Sequence, residues 1–592
     1  MPVVTSLGPG DDTFYGGSST DFIAGNDGND WLFGGAGNDT LYGGNGNDVL
    51  QDGSPGDKDQ YFGGDGNDTI NAGFGDFGDF ADGGIGVDTI SLYYGTFTIG
   101  PLFVNFGSTF HVLAAGARGI TVTNCEAISI ACTAFDDIIR CGGGNDRVVG
   151  GDGFDTVVCG AGDDYVDVGN GNFDVNMGTG IDTFYINMSA VTVGVQWVVR
   201  ANWTNNIVGF VGTVLGHEII QILTGSGNDD IRGGDYTDRI TTGAGNDQII
   251  GGLGNDTIFS GSGADQVYGG DGDDVLNNAD FFESGAGGDT VDGGAGNDAI
   301  YGGNRDERLL GGDGNDVVSG SSGLDAIFGG NGNDALSGSG QCSLYGGAGD
   351  DYIGVQTDLT MGAVSGGAGL DRIATTIDFN LRAQVMDARI VAGGYQITLN
   401  GVVAILATGI EAFTVTGGEA GDALRGGALD DVLTGYSYDG PATDTDRLEG
   451  FAGNDVLFGR AGADTLFGGD GLDTLDGGLG LDRMYGGAGV DTFRFTKATD
   501  SGVGAGQRDL ILDFAAGDII DLSQIDARPL DPLLDSFTFI NHQAFSNAAG
   551  ELRYTSGAVR TVIYGDVNGD GVADFEIELS GNHVLTAANF LL

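Results

Sequence analysis

Positive charge is what this chain has least of. Its 592 residues hold 22 Lys plus Arg against 85 Asp plus Glu, a formal net charge of −63. Binding to phosphate backbones requires a basic patch, so nucleic acid is excluded as a partner. Histidine is equally scarce: His111, His217, His542 and His583 are the only four, and they are scattered. The nearest approach to a zinc-binding H-E-x-x-H helix is His217-Glu218-Ile219-Ile220-Gln221, where Gln replaces the second His. Zinc needs both His on one helix face, and this stretch is β-branched and strand-like. No G-x-S-x-G elbow is present, which argues against a lipase. No enzyme is therefore expected, although a polysaccharide-modifying groove on a β-helix stays open as an alternative. Long apolar runs are also missing, and without about 20 such residues in a row no transmembrane helix is expected. The start, Met1-Pro2-Val3-Val4-Thr5-Ser6-Leu7, lacks the basic and apolar regions of a signal peptide.

Glycine and aspartate dominate what remains. Glycine alone accounts for 118 residues. Gly34-Gly35-Ala36-Gly37-Asn38-Asp39-Thr40-Leu41-Tyr42 is followed at once by Gly43-Gly44-Asn45-Gly46-Asn47-Asp48-Val49-Leu50-Gln51. Both obey G-G-x-G-x-D-x-U-x, with U a large apolar residue. Loops this tight need φ > 0 and close backbone approach, which glycine supplies. The apolar residue at position eight (Leu32, Leu41, Leu50) should point inward, and positions seven and nine outward. Two such half-turns make a coil of 18 residues with two short strands, and coils stack about 4.8 Å apart.

The nonapeptide resembles the calcium-binding repeat of RTX proteins. The resemblance implies an all-β chain, a parallel β-roll or β-solenoid of stacked 18-residue coils. Residues 18 apart, such as Asp30 and Asp48, then lie on one side of adjacent coils. Between two loops sit Asp carboxylates and backbone carbonyls, with Gly34, Ala36, Asn38, Gly43, Asn45 and Asn47 as examples of the carbonyl donors. Calcium takes six to eight such oxygens, whereas magnesium demands a stricter octahedron. Asp and Asn that only capped turns would not need Asp at one phase over so much of the chain. One ion per repeat gives roughly 30 Ca2+, about +60, which nearly cancels the charge.

Taken in order, the repeats fall into four blocks. Block one, 1–91, offers Asp21, Asp30, Asp39, Asp48, Asp68 and Asp88 as ligands, with Asp59 and Asp79 reached by steps two residues longer. Block two, 132–182, offers Asp137, Asp146, Asp155, Asp164 and Asp182. Block three, 224–373, offers Asp229, Asp238, Asp247, Asp256, Asp265, Asp274, Asp289, Asp298, Asp316, Asp325, Asp334, Asp351 and Asp371. Block four, 417–494, offers Asp422, Asp431, Asp446, Asp455, Asp464, Asp473, Asp482 and Asp491.

Three calcium-poor interruptions separate the blocks: 92–131, 183–223 and 374–416. Each ends in a Glu followed by alternating apolar residues, at Glu126, Glu218 and Glu411. The first position-six Asp follows 11 residues later in all three cases (Asp137, Asp229, Asp422). A fixed offset predicts one structural solution used three times. Either these segments are β-coils that continue the solenoid without calcium loops, or they are lateral knobs for a partner. Trp197 and Trp203 give the second reading its weight, including a glycan-binding adhesin. Cys132, Cys141 and Cys159 take position one of their repeats. Cys141 and Cys159 are 18 apart, within reach of a disulfide, or else simply small inward residues. Outward aromatics 18 apart, Tyr15/Phe33 and Phe467/Tyr485, should stack as ladders, as strand packing or as a sticky face for self-association.

The nonapeptide stops after Phe495. Residues 495–592 carry Asp509-Leu510-Ile511-Leu512-Asp513-Phe514, Gly517-Asp518-Ile519-Ile520-Asp521-Leu522 and the tail Phe590-Leu591-Leu592. This β-rich stretch resembles the C-terminal domain of serralysin-type secreted proteases. The resemblance implies export by type I secretion machinery from a Gram-negative bacterium, with Phe590, Leu591 and Leu592 in the signal. Asp566-x-Asn568-x-Asp570-Gly571 also resembles the start of an EF-hand loop, but position twelve is Ile577; a tight turn is the alternative. The functional expectation is a secreted calcium-binding structural protein. It would fold outside the cell and assemble with itself into a filament, matrix or RTX-type surface layer, the first coil offering a bare strand edge.

Overall fold

The computed structural model describes residues 3–51, 53, 57–73, 79–94, 102–105, 109–114, 117–198, 206–207, 210–216, 218–278, 288–357, 362–377, 386–392, 394–436, 444–529 and 535–592. Two compact units divide the chain: Met1–Asn278 with Asp289–Gly294, and Ala279–Gly288 with Ala295–Leu592. Among the described residues each is built of β-strands, the one helical turn being Ala587–Asn589.

In the first unit every coil gives one strand to each of two parallel sheets. Val4–Ser6, Phe22–Asp27, Thr40–Asn45, Gln60–Asp65 and Phe80–Ile85 follow one another in one sheet. Thr13–Tyr15, Trp31–Phe33, Val49–Gln51, Thr69–Asn71 and Thr89–Tyr93 do so in the other. The register pairs Ile23 with Leu41 and Leu32 with Leu50. Position eight therefore stacks on itself, and Ile23, Leu32, Leu41, Leu50 and Ile70 are fully buried. The core is a narrow column that each coil completes only with its neighbours. Coils approach so closely at the corners that a Cβ on Gly44, whose φ is +125°, would collide with the Asn26 carbonyl oxygen.

The second unit repeats this arrangement. Ala299–Tyr301, Val317–Gly323, Ala335–Gly340, Tyr352–Thr357 and Arg372–Ile377 form one parallel run. Arg308–Asp313, Ala326–Asn331, Ser343–Ala348 and Val364–Ala368 form the other.

The interruptions share one construction, and it is not a plain coil. In the third, Met386–Val391, Gly394–Leu399 and Val402–Thr408 make an antiparallel meander. Its outer strands pair parallel with Ala423–Arg425 and Val364–Ala368. The opposite sheet passes straight through, Arg372–Ile377 pairing parallel with Ala412–Thr416. The first interruption does the same with Leu102–Asn105, Thr109–Ala114 and Ala117–Thr123. In the second, Phe210–Leu215 and Gln196–Val198 take the two outer places. These stretches lack the G-G-x-G-x-D sequence that turns a corner within six residues, so the chain reverses instead. The expectation of continued coils holds for one sheet and is corrected for the other. Trp197, which gave the alternative of partner-binding knobs its weight, is fully buried and stacked on Phe184 with ring centroids 5.3 Å apart; Trp203 lies outside the described residues.

The last hundred residues extend both sheets of the second unit. Thr492–Arg494, Ile519–Asp521 and Phe590–Leu591 run parallel in one. Arg483–Gly489, Asp509–Ile511 and Phe575–Ser580 run parallel in the other. A hairpin of Arg560–Asp566 and Phe575–Ser580 holds the EF-hand-like stretch. There Asp566 accepts the Gly569 and Gly571 N–H groups at 2.7 and 2.9 Å, and Asn568 accepts that of Asp570 at 2.9 Å. These side-chain oxygens close a tight turn between the two strands.

Candidate metal centre

Each position-six aspartate is held by the coil next to it. The Asp21 N–H donates to Asp39 Oδ1 at 2.7 Å, Asp30 to Asp48 at 2.8 Å and Asp48 to Asp68 at 2.8 Å. The pattern continues from Asp146 to Asp164, Asp238 to Asp256, Asp316 to Asp334 and Asp446 to Asp464, at 2.7–2.9 Å. Going the other way, the Asp30 carbonyl accepts the Val49 N–H at 2.8 Å. Two-residue insertions leave the pattern intact, for Asp39 still reaches Asp59 and Asp59 reaches Asp79.

This ladder satisfies one carboxylate oxygen per residue; the other accepts a loop N–H in Asp21, Asp137, Asp238, Asp422 and Asp431, and in many repeats it meets no partner among the described residues. Every aspartate named above as a ligand is buried, none more than 3% exposed. Oδ2 of Asp30, Asp48, Asp68, Asp155, Asp256, Asp334 and Asp455 is buried with no hydrogen-bond partner among the described residues. An unsatisfied buried polar group costs about 1–3 kcal/mol, and more when charged. Repetition at coil after coil makes the metal-free ladder a standing electrostatic debt.

The pKa values carry the same message. Burial pushes Asp48 up to about 7; the ladder bond from Asp30 opposes this, and the like charges of Asp68 and Asp30 add to it. Asp155, Asp256 and Asp446 are pushed up to about 8, again first by burial and then by neighbouring aspartates.

A cation at these oxygens would fit the surroundings. A Cβ on Gly43 would collide with both Asp48 Oδ2 and the Gly63 carbonyl oxygen. The same pairing recurs over Gly25 (Asp30 and Gly43), Gly329 (Asp334 and Gly346) and Gly468 (Asp473 and Gly486). A carboxylate oxygen and a carbonyl oxygen from the next coil thus converge above a Cα that bears no side chain. Among the described residues no three His, Cys, Asp or Glu side chains cluster closely enough to hold a metal alone. Backbone carbonyls must complete any site, and an all-oxygen donor set of this kind suits a hard divalent ion that tolerates irregular geometry. Of the carbonyls expected to contribute, those of Gly34 and Gly43 face Asp21 Oδ2 and Asp30 Oδ2 across Gly16 and Gly25. The Asn45 carbonyl accepts the Gly28 N–H at 2.9 Å, and the Ala36 N–H donates to Gly17 at 2.8 Å. Asn38 and Asn47 present side-chain oxygens to the N–H groups of Lys58 and Asn67.

Several contributors escaped the sequence reading. Glu126, Glu218 and Glu411 each accept the N–H of the last aspartate before an interruption, at 2.9, 2.8 and 3.0 Å. Glu218, part of the failed zinc motif, is thereby a structural cap. Glu307 holds position six nine residues after Asp298 and donates its N–H to Asp325 at 3.0 Å. Beyond the nonapeptides, Asp482 donates to Asp509 at 2.8 Å and Asp491 to Asp518 at 3.1 Å. Their common spacing of 27 residues was the available signal. The thiols of Cys141 and Cys159 are free, and the neighbouring Cys159 together with burial pushes the Cys141 thiol well up.

Comparison with known proteins follows the same lines. The family model for the RTX calcium-binding nonapeptide repeat matches residues 7–30, 15–50, 134–172, 223–258, 250–279, 277–304, 301–336, 343–354, 443–466 and 459–493. No curated protein matches the chain. Two solved structures are similar over part of it, both from the Azotobacter vinelandii mannuronan C5-epimerase. The AlgE6R3 subunit is 31% identical over 28% of this chain and 78% of its own, with a TM-score of 0.15. The AlgE6R2 subunit is 29% identical over 29% of this chain and 91% of its own, with a TM-score of 0.16. At such TM-scores the likeness says nothing further about this chain. Nonapeptides of that family, laid out on stacked parallel coils with their aspartates buried in register, make this chain an RTX β-roll protein, a calcium-binding repeat protein.

Proposed function

We propose that the chain is a secreted structural protein that folds when it meets calcium outside the cell and then assembles with itself. The buried, partnerless Asp Oδ2 atoms carry this reading. Where calcium is scarce, a chain of net charge −63 that must bury its carboxylates is held open by repulsion. Where calcium is abundant, metal binding free energy becomes folding free energy. Roughly 30 ions, one per repeat, would bring the net charge near zero.

Type I export from a Gram-negative bacterium accords with that sequence of events. Phe590 pairs with Ile520 and packs on Phe539 with ring centroids 5.0 Å apart. In a signal of Phe590, Leu591 and Leu592, Phe590 would be free before the C-terminal sheets close and buried afterwards, while Leu591 stays exposed. Among the described residues no helix is long and apolar enough to cross a membrane. For assembly, the outward face supplies stacked aromatic ladders. Tyr15 and Phe33 lie 4.5 Å apart and Phe467 and Tyr485 4.6 Å apart; Tyr15 is 68% exposed. Copies could meet on such surfaces once bound calcium has quenched their mutual repulsion.

Negative-stain microscopy of the pure protein in millimolar calcium, and again with chelator, tests the proposal. Filaments or sheets that disappear with chelator are expected. Dispersed folded monomers in calcium would remove assembly, and a chain that stays folded in chelator would remove calcium-driven folding.

A further inference from the structure

Block one carries a row of aromatic rings on the outer face of its first sheet, opposite the buried Ile23, Leu41 and Tyr61. Phe22, Thr40, Gln60 and Phe80 are successive register partners there, and so are Ala24, Tyr42, Phe62 and Asp82. Four rings join across the two columns. Phe22 and Tyr42 have centroids 5.3 Å apart, Tyr42 and Phe62 4.5 Å, and Phe62 and Phe80 5.6 Å. Phe22 and Tyr42 are exposed. Asp82 is the one charge in these columns, and its Oδ1 accepts the Asn124 side-chain N–H at 2.8 Å.

Elsewhere the fold caps such rings with arginine, whose guanidinium is attracted to a ring face within about 6 Å. Arg308 lies over Phe328 at 4.7 Å and Arg447 over Phe467 at 4.4 Å, each reaching from position seven of one coil to position nine of the next. In block one Phe22 holds that arginine's place beside Tyr42, and Lys58 is the only cation before Arg118. Block four has the cations that block one lacks. Its outer columns are Ala423, Arg447, Thr465 and Arg483, and beside them Arg425, Glu449, Phe467 and Tyr485. Arg425 and Arg447 share Glu449, while Arg483 is exposed and makes no ion pair among the described residues.

We infer that these two faces bind each other between copies of this chain, block one of one molecule on block four of the next. The inference rests on the self-assembly proposed above and names its interface. Strands in both faces repeat about every 4.8 Å, so the faces can be laid together with strands antiparallel and coils running the same way. Position seven of each then lies over position nine of the other. Asp82 meets Arg483, Tyr42 meets Arg447, Phe80 meets Tyr485 and Thr40 meets Glu449, and nowhere do like charges oppose. The two faces differ, so the contact is heterologous and repeats into an open polymer. Two block-one faces set against each other would close as a dimer and leave Asp82 without a cation.

Sedimentation velocity of the full chain in millimolar calcium tests the interface. The unmodified protein should polymerise. Arg483→Asp should raise the concentration needed for assembly by roughly 10-fold, and adding Asp82→Arg to the same chain should restore it. Phe22→Thr with Tyr42→Thr, and Arg447→Thr with Arg483→Thr, should each stay monomeric alone. Mixed in equal amounts they should stop at dimers, because each variant keeps one intact face. Circular dichroism and the calcium midpoint of folding monitor the fold; if the ring variant disturbs them, the charge exchange at the exposed Arg483 decides. An unmodified protein that stays monomeric removes self-assembly and this interface together. Polymerisation indifferent to Arg483→Asp, impairment of the ring variant only, or a mixture that stays monomeric removes the interface and leaves self-assembly standing.

Discussion

The backbone N–H of Asp371 donates to the Glu411 carboxylate at 3.0 Å across 40 residues of chain. The carbonyl of Asp371 in turn accepts the N–H groups of Glu411 and Ala412, both at 3.0 Å. Asp88 with Glu126 and Asp182 with Glu218 repeat the arrangement. Glutamate stands where the next ladder aspartate would, and its extra methylene spans the break.

Glu411→Ala should therefore leave a backbone donor unpaired and lower the stability of the calcium-loaded protein by roughly 1–3 kcal/mol. Glu411→Gln, which keeps an acceptor oxygen, should recover most of it. Denaturant unfolding of both variants checks the point; equal losses would deny the cap.

Asp334 donates to Asp351 and accepts from Asp316, so it sits inside an unbroken run. Asp334→Asn keeps the hydrogen-bond shape but removes the anionic charge. The calcium concentration at half-folding should rise by roughly 10-fold, the equivalent of about 1.4 kcal/mol. Circular dichroism against free calcium would show it.

Acid should compact the chelated protein. The buried aspartates have folded values raised from 3.8 to about 6 to 8 by burial. Between those limits the folded state binds more protons than the unfolded one, so stability falls as pH rises. The contribution is complete below pH 3.8 and lost by about pH 8. Calcium competes with the same protons, so its midpoint should rise as pH falls. Circular dichroism in chelator from pH 8 to pH 4 should gain β-signal; a loss would contradict the buried ladder.

Gly330 and Gly504 both have positive φ, +128° and +99°. A Cβ on Gly330 would strike the Gly312 carbonyl oxygen, while one on Gly504 meets nothing within 4 Å. Gly504→Ala should cost about 1–2 kcal/mol from backbone strain alone, and Gly330→Ala distinctly more. Calcium-loaded thermal unfolding separates them.

Cys141 and Cys159 lie side by side in neighbouring coils, the Cys141 N–H donating to the Val158 carbonyl at 2.7 Å; parallel strands there are about 4.8 Å apart, inside the range a disulfide spans. Mild oxidation should join them with loss of two hydrogens by mass spectrometry, and Cys342 should stay reduced. Failure to form that bridge under oxidant would show the thiols to be held apart.

What could be read from the sequence was whatever followed the period. Leu41 and Asp39 are nine residues from Leu50 and Asp48, and the inward column and buried carboxylates follow from that spacing. Reading failed where bonds ignore it. Asp509 lies 27 residues beyond Asp482, and the meanders are set by the absence of glycine corners, which dictates reversal but not the strand order. Trp197 misled because an aromatic in an irregular stretch looks available, whereas its ring fills the core against Phe184.

The ladder bond is made at a separation of 17 residues from Asp334 to Asp351, 18 in most coils, and 24 from Asp265 to Asp289 and from Asp422 to Asp446. What it fixes is phase, and corner length is left as a free variable. A molecule built this way can be edited at its corners without touching its lines. Foreign peptides spliced between Asp422 and Asp446 would be displayed from a frame that still closes on calcium, and natural variants can lengthen there with little selection against them.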